Sequence, residues 1–285
     1  MRTEIREMLV HLGGPAKACQ LLGVSYVALK EWPHGRKPIS LEKLDKLIGF
    51  CTAPFQDEIK SKIDSREVLL SCRYSPHKIK FPKIITPDLA YLLGLFLGDG
   101  TFAGDSSNER GNWTIGVFFD NRNHQALYDS ILLEIFGIKA KHYDSKKNCF
   151  VSYFASKALH WFLRSYFEVC NGYKANKIIA PSLIFVSNNW ELVAPFLQGL
   201  FDSDGTITKK REVKYATTSK RMSGQVKELL DGHDFKTGLD VWLKNERFLP
   251  LYTVRLRGKD SVKKFAEEIN FRHCIKKARC LETLS

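Results

Sequence analysis

The pattern of apolar and polar positions changes at residue 86 and then follows one order of elements twice. Thr86, Pro87 and Asp88 form a strong helix start, because an N-cap threonine, a proline at the first helical position and an early acidic residue all favour initiation. The first series predicts a helix, two strands, a helix, a hairpin and a helix at 89–98, 101–102, 113–120, 123–136, 138–156 and 157–167. The second begins with helix 190–203, and after Gly205 the matching elements follow at 212–218, 219–230, 239–258 and 260–269.

The order αββαββα, present twice, predicts an α+β fold built from two similar halves related by a pseudo-two-fold axis. We place the first repeat at 86–180 and the second at 181–285. A duplicated site in one chain suits a partner with near two-fold symmetry, such as duplex DNA. Two repeats in one chain also predict a monomer.

Residues 1–50 predict a small helical domain ahead of the repeats. A short helix at 16–22 ends at Gly23, and Ser25 is a good N-cap for a second helix at 26–31. This outline resembles the helix-turn-helix domains of phage-repressor type, with an ordinary helical hairpin as the alternative. Residues 51–85 are interpreted as a basic linker, because Lys78, Lys80 and Lys83 lie in a stretch kept extended by proline; a solvated strap is the other interpretation.

The amino-acid composition limits the class of partner that the protein can be expected to bind. The chain has 285 residues, 44% of them apolar, which is normal for a protein with a buried core. With 44 Lys and Arg against 31 Asp and Glu, the net charge is +13, and such a field attracts nucleic acid first and acidic membrane second. No apolar run approaches the ~18 residues of a membrane span, and no secretory signal is present. We therefore expect an intracellular protein, cytoplasmic or nucleoid-associated, with no membrane partner.

Two matched nonapeptides carry the candidate chemistry, and they occupy 92–100 and 197–205. Gly94 and Gly98 share one helix face, and Gly199 and Ser203 repeat that spacing, so two helix backbones can approach closely there. Asp99 and Asp204 would then meet at the carboxyl ends of the helices, where mutual repulsion and two helix dipoles disfavour negative charge. A cation resolves both effects, and carboxylate oxygens suit Mg²⁺. Two such sites about a scissile phosphate predict metal-assisted phosphodiester hydrolysis.

Both nonapeptides resemble the LAGLIDADG motif of homing endonucleases, also called the DOD type, and the resemblance covers roughly 86–285. It implies a saddle of β-sheets around two packed helices, which reads duplex DNA in the major groove and cuts both strands across the minor groove. The acid before the final glycine of each motif would bind the catalytic metal, at Asp99 and Asp204 beside Gly98 and Ser203. Mg²⁺ is the expected metal, with Mn²⁺ or Ca²⁺ as substitutes for binding. The first motif departs from the family at Leu97, where Asp is frequent, and at Gly98, where Ala is usual.

The resemblance also implies supporting residues. A lysine near the end of each repeat would polarise the water network, and Lys177 and Lys276 match that position. Asn121 and Ser219 are the candidates for a polar residue near the metal at the end of the first long strand. The remaining basic residues expected to contact DNA lie in strands, hairpins and turns: Lys139, Lys141, Lys146, Lys147, Lys209, Lys210, Arg211, Lys214, Lys220, Arg221, Arg255 and Arg257. The alternative interpretation is that these residues form an ordinary solvated polar face of a sheet and do not contact DNA.

Three functions remain open at this point. The first is a Mg²⁺-dependent, site-specific double-strand DNA endonuclease of the homing type. The second is a DNA-binding transcription regulator that kept the scaffold and lost cleavage, although such proteins tend to lose the acid pair that this chain keeps. The third is an RNA-splicing maturase acting on host intron RNA. Because the chain begins with Met1 and ends in Ser285, we expect a freestanding, intron-encoded protein and not an intact intein.

Overall fold

The computed structural model describes residues 2–34, 36–37, 39–64, 68–72, 78–103, 113–146, 148–170, 174–243, 245 and 247–284. The chain divides into two compact units, Met1–Ser71 and Cys72–Ser285. None of the helices in the described part is both long enough and apolar enough to cross a membrane.

The N-terminal unit is built from helices around a small apolar core. Its elements are α1 (Arg2–His11), α2 (Pro15–Leu22), α3 (Tyr26–Glu31), α4 (Leu41–Gly49), α5 (Ala53–Asp64) and a short strand β1 (Leu69–Ser71). Gly23 ends α2 in the left-handed conformation, and the side chain of Ser25 accepts a hydrogen bond from the Ala28 amide at the start of α3. The predicted order of helix, glycine turn and helix is therefore present.

Helix α5 corrects the interpretation of 51–85 as a linker. Phe55, Ile59 and Ile63 are spaced four residues apart, so they line one face of α5. Ile59 is fully buried in the core of the N-terminal unit, and the other two pack against that core. The first part of the expected linker is thus structural, because its apolar spacing follows the helical period.

The C-terminal unit contains the two predicted repeats. After β2 (Lys78–Lys80), the first repeat runs α6 (Pro87–Gly98), β3 (Gly100–Ala103), β4 (Thr114–Phe119), α7 (Arg122–Phe136), β5 (Lys141–Lys146), β6 (Cys149–Ala155) and α8 (Lys157–Phe167). A short helix α9 (Ser182–Phe185) follows. The second repeat runs α10 (Trp190–Asp204), β7 (Gly205–Thr208), β8 (Glu212–Thr217), α11 (Lys220–Asp231), β9 (Thr237–Trp242), β10 (Leu251–Arg257), α12 (Lys259–Glu268) and a closing helix α13 (Cys274–Leu284).

Each repeat forms one four-stranded antiparallel sheet. The strand orders are β3-β4-β6-β5 and β7-β8-β10-β9, so the two sheets have the same topology. The register also matches, since Gly100 pairs with Val117 in the first sheet and Gly205 pairs with Tyr215 in the second. The duplicated α+β architecture predicted from the sequence is confirmed.

Side-chain alternation gives each sheet a closed face and an open face. Helices α7 and α8 pack on the first sheet, and α11 and α12 pack on the second. The closed faces hold buried residues such as Val117 and Phe154 in the first sheet and Val213 and Val254 in the second. Residues that alternate with these form the open faces, where Thr101 and Phe118 in the first sheet and Thr206 and Arg257 in the second are exposed.

Helices α6 and α10 pack side by side between the two repeats. Residues 89–97 of α6 are all buried, and most of α10 is buried as well. A helix as apolar as α6 belongs inside a protein, and α6 and α10 together form the centre of the C-terminal unit. Their shared carboxyl end is the place where the candidate site lies.

Candidate metal centre at the paired helix ends

Small residues set the distance between α6 and α10. A Cβ atom added to Gly94 would overlap the carbonyl oxygen of Phe196 and lie 2.8 Å from the amide nitrogen of Leu200. A Cβ added to Gly199 would overlap the carbonyl oxygen of Tyr91. Near the helix ends, Gly98 faces Ser203 in the same way. All four residues expected at the helix interface therefore lie in it, and the backbones touch where side chains would ordinarily separate them.

The close approach brings two carboxylates together at the helix ends. Asp99 caps α6 and is half-buried, whereas Asp204 ends α10 and is exposed. Surrounding protein removes much of the water near Asp99, and this effect, followed by repulsion from Asp204, raises the pKa of Asp99 to about 7. Partial loss of water also raises the pKa of Asp204. Negative charge is therefore unfavourable here, as the sequence argument expected.

Two lysines bind the carboxyl ends of the helices in the same manner. The Nζ of Lys174 donates to the carbonyl oxygens of Phe96, Leu97 and Gly98 at 2.6–2.8 Å. Each hydrogen of the ammonium group thus meets one carbonyl that the helix itself leaves unpaired. The positive charge also lies at the negative end of the helix dipole.

Lys276 repeats this arrangement on α10. Its Nζ donates to the carbonyl oxygens of Phe201, Asp202 and Ser203 at 2.6–3.1 Å. Burial lowers the pKa of Lys276 and lowers that of Lys174 to about 8, while the neighbouring carboxylates oppose the change. The two lysines partly balance the two acids.

The placement of Lys177 near the acid pair is wrong, and Lys174 occupies that position. Lys177 is exposed, three residues further along the same turn. Both lysines lie in a loop, where no helical or strand period shows which one points inward. The matched contacts of Lys276 identify the equivalent residue in the structure.

Each acid faces its own cavity. A cavity of about 600 Å³ is lined by Asp204, Lys174 and Thr218 among others. A cavity of about 300 Å³ is lined by Asp99, Asp120 and Lys276 among others. In each cavity, an acid from one repeat lies with a lysine from the other, so both cavities need the whole duplicated unit.

A polar network lies beside Asp99 and was missed from the sequence. The carboxylate of Asp202, 2% exposed, accepts hydrogen bonds from the Tyr91 hydroxyl at 2.7 Å and from the amides of Arg272 and His273. The Tyr91 oxygen is 2.8 Å from Nε2 of His124, which therefore donates to it, because the hydroxyl proton goes to Asp202. Burial lowers the pKa of His124 to about 3, so its ring is neutral.

The network borders the Asp99 cavity directly at His124 and Asp202, and His273 links it to a further residue of that cavity. Nε2 of His273 lies 2.7 Å from Oδ1 of Asp120, which lines that cavity. Partial burial raises the pKa of Asp120, but the hydrogen bond and charge of His273 outweigh this and hold it below its usual value. Aligning Asp99 with Asp204 places Leu97 opposite Asp202 and Phe196 opposite Tyr91, so the network belongs to one end only.

Asn121 and Ser219 have a structural role in place of the expected position beside the metal. The Asn121 side chain accepts from the amides of Asn123 and His124, which caps α7. The buried Ser219 hydroxyl accepts from the Met222 amide, which caps α11, and donates to the carbonyl of Ile178. The residues that actually line the cavities at these strand ends are Asp120 and Thr218, one position earlier.

The predicted DNA-contacting residues fall into several places. Lys141, Lys214, Arg255 and Arg257 lie on the open faces of the sheets. Exposed residues in loops and turns are Lys139, Lys209, Lys210 and Arg211, while Lys220 and Arg221 are exposed in the first turn of α11. Lys146 ends β5, and Lys147 lies outside the described residues.

The donors at the helix ends fit a hard divalent cation. Asp99 and Asp204 offer carboxylate oxygens, and the carbonyl oxygens of Gly98 and Ser203 each accept one lysine hydrogen bond, which leaves one lone pair on each. Among the described residues, no group of three or more His, Cys, Asp and Glu forms a complete metal site. Mg²⁺ ordinarily binds through one or two carboxylates with water and phosphate oxygens, so a full protein cage is not needed.

The fold and this pair of acid-ended helices define a duplicated LAGLIDADG-type protein. The model of the LAGLIDADG-like domain family matches residues 86–168 and 191–270, and the chain belongs to that family. The structure has the homing-endonuclease-like arrangement of that family, with one motif helix in each repeat.

Relatives among curated proteins match most of this chain and little of their own length. The chain is 26% identical over 234 residues to the glutamine–fructose-6-phosphate aminotransferase (isomerizing) of Methanocaldococcus jannaschii, which covers 81% of this chain and 20% of the relative. It is 28% identical over 237 residues to a DNA polymerase of Thermococcus hydrothermalis, which covers 80% of this chain and 13% of the relative. The chain thus spans a fifth or less of these relatives.

Solved structures give further likenesses. The homing endonuclease I-DmoI in complex with DNA and Ca is 20% identical, with a TM-score of 0.46, over 64% of this chain and 88% of that chain. I-DmoI has also been solved with DNA and Mn. The N-terminal LAGLIDADG domain of DUF199/WhiA is 13% identical, with a TM-score of 0.44, over 68% of this chain and 89% of that chain.

Proposed function

We propose that this protein is a divalent-metal-dependent, site-specific double-strand DNA endonuclease of the homing type. The observation that carries the proposal is the pair of acids with raised pKa values at the touching ends of α6 and α10, each with a lysine in its cavity. Such a pair is unfavourable in the protein alone, and a bound cation makes it favourable. A purely structural site gains nothing from it.

The residues have distinct tasks in this proposal. Asp99 and Asp204 hold the metal, and a bound Mg²⁺ would supply charge stabilisation at the scissile phosphate and lower the pKa of its water. Lys174 and Lys276 keep the helix ends in place and bring positive charge to the anionic phosphate. The open sheet faces lie along the DNA, with basic residues on the strands and turns.

The charge of the protein agrees with a DNA partner. A net charge of +13 attracts a polyanion at long range. Exposed lysines in turns can hold phosphates, whereas side chains that alternate along strands can reach base edges. Binding to host intron RNA stays a prediction, which a gel shift with intron RNA against duplex DNA tests.

The deciding experiment is cleavage of a randomised duplex library, with sequencing of the ends produced. We expect discrete staggered ends with Mg²⁺ or Mn²⁺ and none with EDTA. Asp99→Asn and Asp204→Asn should each lower cleavage by at least about a hundredfold while binding is kept. The control Asp260→Asn makes the same chemical change at an exposed position on α12 and should cleave normally. Full activity of both site variants would overturn the proposal.

The N-terminal unit favours one second candidate, a DNA-binding regulator. Tyr26, Val27 and Lys30 are exposed on α3, next to a loop in which Arg36 and Lys37 are exposed. A recognition helix in a helix-turn-helix presents such residues to the major groove. The regulator would bind specific fragments without cutting them, and Val27→Glu with Lys30→Glu in the full chain would abolish that binding.

A further inference from the structure

The open faces of the two sheets have different chemistry, although the sheets share one topology. Alternation and register assign the residues to each face, because directly paired residues point to the same side; in β5 this holds up to the register shift after Asp144. On the first sheet the open face includes Thr101, Thr114, Phe118, Tyr143 and Tyr153. On the second it includes Thr206, Glu212, Lys214, Asp240, Trp242, Leu251, Thr253, Arg255 and Arg257.

The first open face is aromatic and nearly neutral. The rings of Tyr143 and Tyr153 meet edge to face, with centroids 5.4 Å apart. Tyr143 is 47% exposed and Phe118 is 37% exposed, and Val151 lies on the same face between them in register. Among the described side chains assigned to this face, Lys141 carries the charge, whereas Asp144 lies on the other face. A cluster of exposed aromatic rings on a sheet face is a surface on which an apolar feature of a partner can pack.

The second open face carries a grid of paired charges at its centre, and Trp242, 59% exposed, lies at the end of β9 on the same face. Arg255 donates to Asp240 through Nη2, and Glu212 accepts both Nε of Arg257 and Nζ of Lys214 at 2.7 Å. These carboxylates hold the cations at fixed places on the sheet. Nε of Arg255 is inaccessible to water and has no partner among the described residues. The ion pair with Asp240 therefore fixes the orientation of Arg255, and the Nη atoms of its guanidinium, not the enclosed Nε, are the ones that would face a base.

Base pairs present different chemical groups in the major groove, and these groups match the two sheet faces differently. Guanine offers two acceptors that arginine binds in a bidentate manner, and cytosine offers an amino donor to Asp or Glu. Thymine offers a methyl group that packs on apolar and aromatic side chains. A charged grid is thus complementary to G·C pairs, and an aromatic face is complementary to A·T pairs.

We propose that the two half-sites of the DNA target differ in composition: repeat one reads A·T pairs through thymine methyl groups, and repeat two reads guanine through Arg255 with Asp240 beside it. This inference rests on the proposed function for the partner, duplex DNA, and it does not require cleavage. Arg255 is a specificity-determining residue of the second half-site. Tyr143 has the corresponding role in the first.

The test selects bound duplexes from a randomised library with the non-cleaving Asp99→Asn/Asp204→Asn protein. We expect one motif with a thymine-rich half and a guanine-containing half. Arg255→Ala should lower the preference for guanine about tenfold at one or two positions and leave the other half unchanged. Tyr143→Ala should relax the thymine-rich half alone. The controls Arg164→Ala and Tyr166→Ala make the same changes on α8 and should leave the motif intact.

Base analogues give a measurement that needs no sheet variant. Uracil in place of thymine removes only the methyl group, and 7-deazaguanine removes one acceptor of guanine. Uracil should weaken binding several-fold in the first half-site and have no effect in the second, with the reverse for 7-deazaguanine. Equal effects in both halves, or a motif of even composition, would overturn the inference. Cleavage of a site with even composition would overturn this inference alone, whereas a two-part motif without cleavage would overturn only the endonuclease.

Discussion

The carboxyl ends of α6 and α10 have the same arrangement of acid, lysine and small interface residues, which we call the frame. They differ in the residues that surround this frame. Asp99 with Lys276 and Asp204 with Lys174 are placed alike, and the small residues between the helices repeat at the same spacing. Around Asp99, however, Asp202 and His273 belong to a polar network, whereas the position equivalent to Asp202 is Leu97. The frame is fixed by backbone contact between two helices, so it cannot vary without separating them. The surroundings carry no such constraint, and there the repeats have diverged.

The frame gives the largest expected effect. Gly94→Ala should destabilise the protein by roughly 3 kcal/mol or more, because the new methyl group overlaps backbone atoms of α10 that cannot move independently. Gly98→Ala overlaps the Ser203 side chain instead, so Ser203→Gly should restore much of the loss. Urea unfolding of the single and double variants measures this difference. Equal rescue of Gly94→Ala by Ser203→Gly would show that the helices are not held by local backbone contact.

Changes to the polar network around Asp202 should give the second-largest effect on stability. Asp202→Leu copies the residue of the other repeat and should cost about 3 kcal/mol, because the Tyr91 hydroxyl and two amides lose their acceptor. Asp202→Asn keeps an acceptor and should cost much less. Adding Tyr91→Phe to Asp202→Leu removes one orphaned donor and should recover part of the loss. Thermal unfolding at neutral pH measures all three, and an unaffected Asp202→Leu protein would contradict the importance of the network.

Asp99→Asn should stabilise the protein without metal. The pKa of Asp99 in the folded protein is about 7, above its ordinary value of 3.8, so ionisation opposes folding. This penalty is absent below pH 4, grows as the pH rises toward 7 and is complete above it. The gain from Asn should therefore be at most about 4 kcal/mol at pH 8, reduced by solvent screening at this partly exposed site, and should vanish near pH 4.

The same pair of proteins tests metal binding without an activity assay. Mg²⁺ should raise the unfolding temperature of the unmodified protein at pH 8, because a ligand of the folded state stabilises it. The increase should be much smaller in Asp99→Asn. Equal increases in both proteins would place the metal elsewhere.

The smallest expected effect concerns the crossed pairing of acids and lysines. Lys276 lowers the pKa of Asp99 more than Lys174 does, whereas Lys174 has the larger influence on Asp204. Lys276→Met should therefore raise the pKa of Asp99 more than that of Asp204, and Lys174→Met should do the reverse. Carboxyl titration followed by carbon NMR resolves the two acids. Identical effects of both lysines would mean that the two cavities act as one.

The sequence was sufficient for the frame, because the frame is periodic. The αββαββα order, the helix starts at Thr86 and Ser219 and the small-residue spacing are local patterns, and each agrees with the structure. Loop positions have no period, so the sequence does not show that Lys174, and not Lys177, is the lysine at the helix end. The Tyr91–Asp202 hydrogen bond joins residues 111 apart in sequence, and no local pattern announces such a pair. Asn121 was predicted beside the metal, but the cavity is lined by Asp120, the residue before it. The sequence does not separate these two positions, because the capping role of Asn121 depends on where α7 begins.

The contact of Gly94 with Gly199 has one more consequence in the proposed function. Because backbone atoms set the spacing of the two acids, the stagger between the two nicks is decided inside the protein core. The sheet faces decide only where along the genome the duplex is held. Recognition could therefore drift, or be redesigned, through residues such as Arg255 and Tyr143 while every product kept an overhang of the same length.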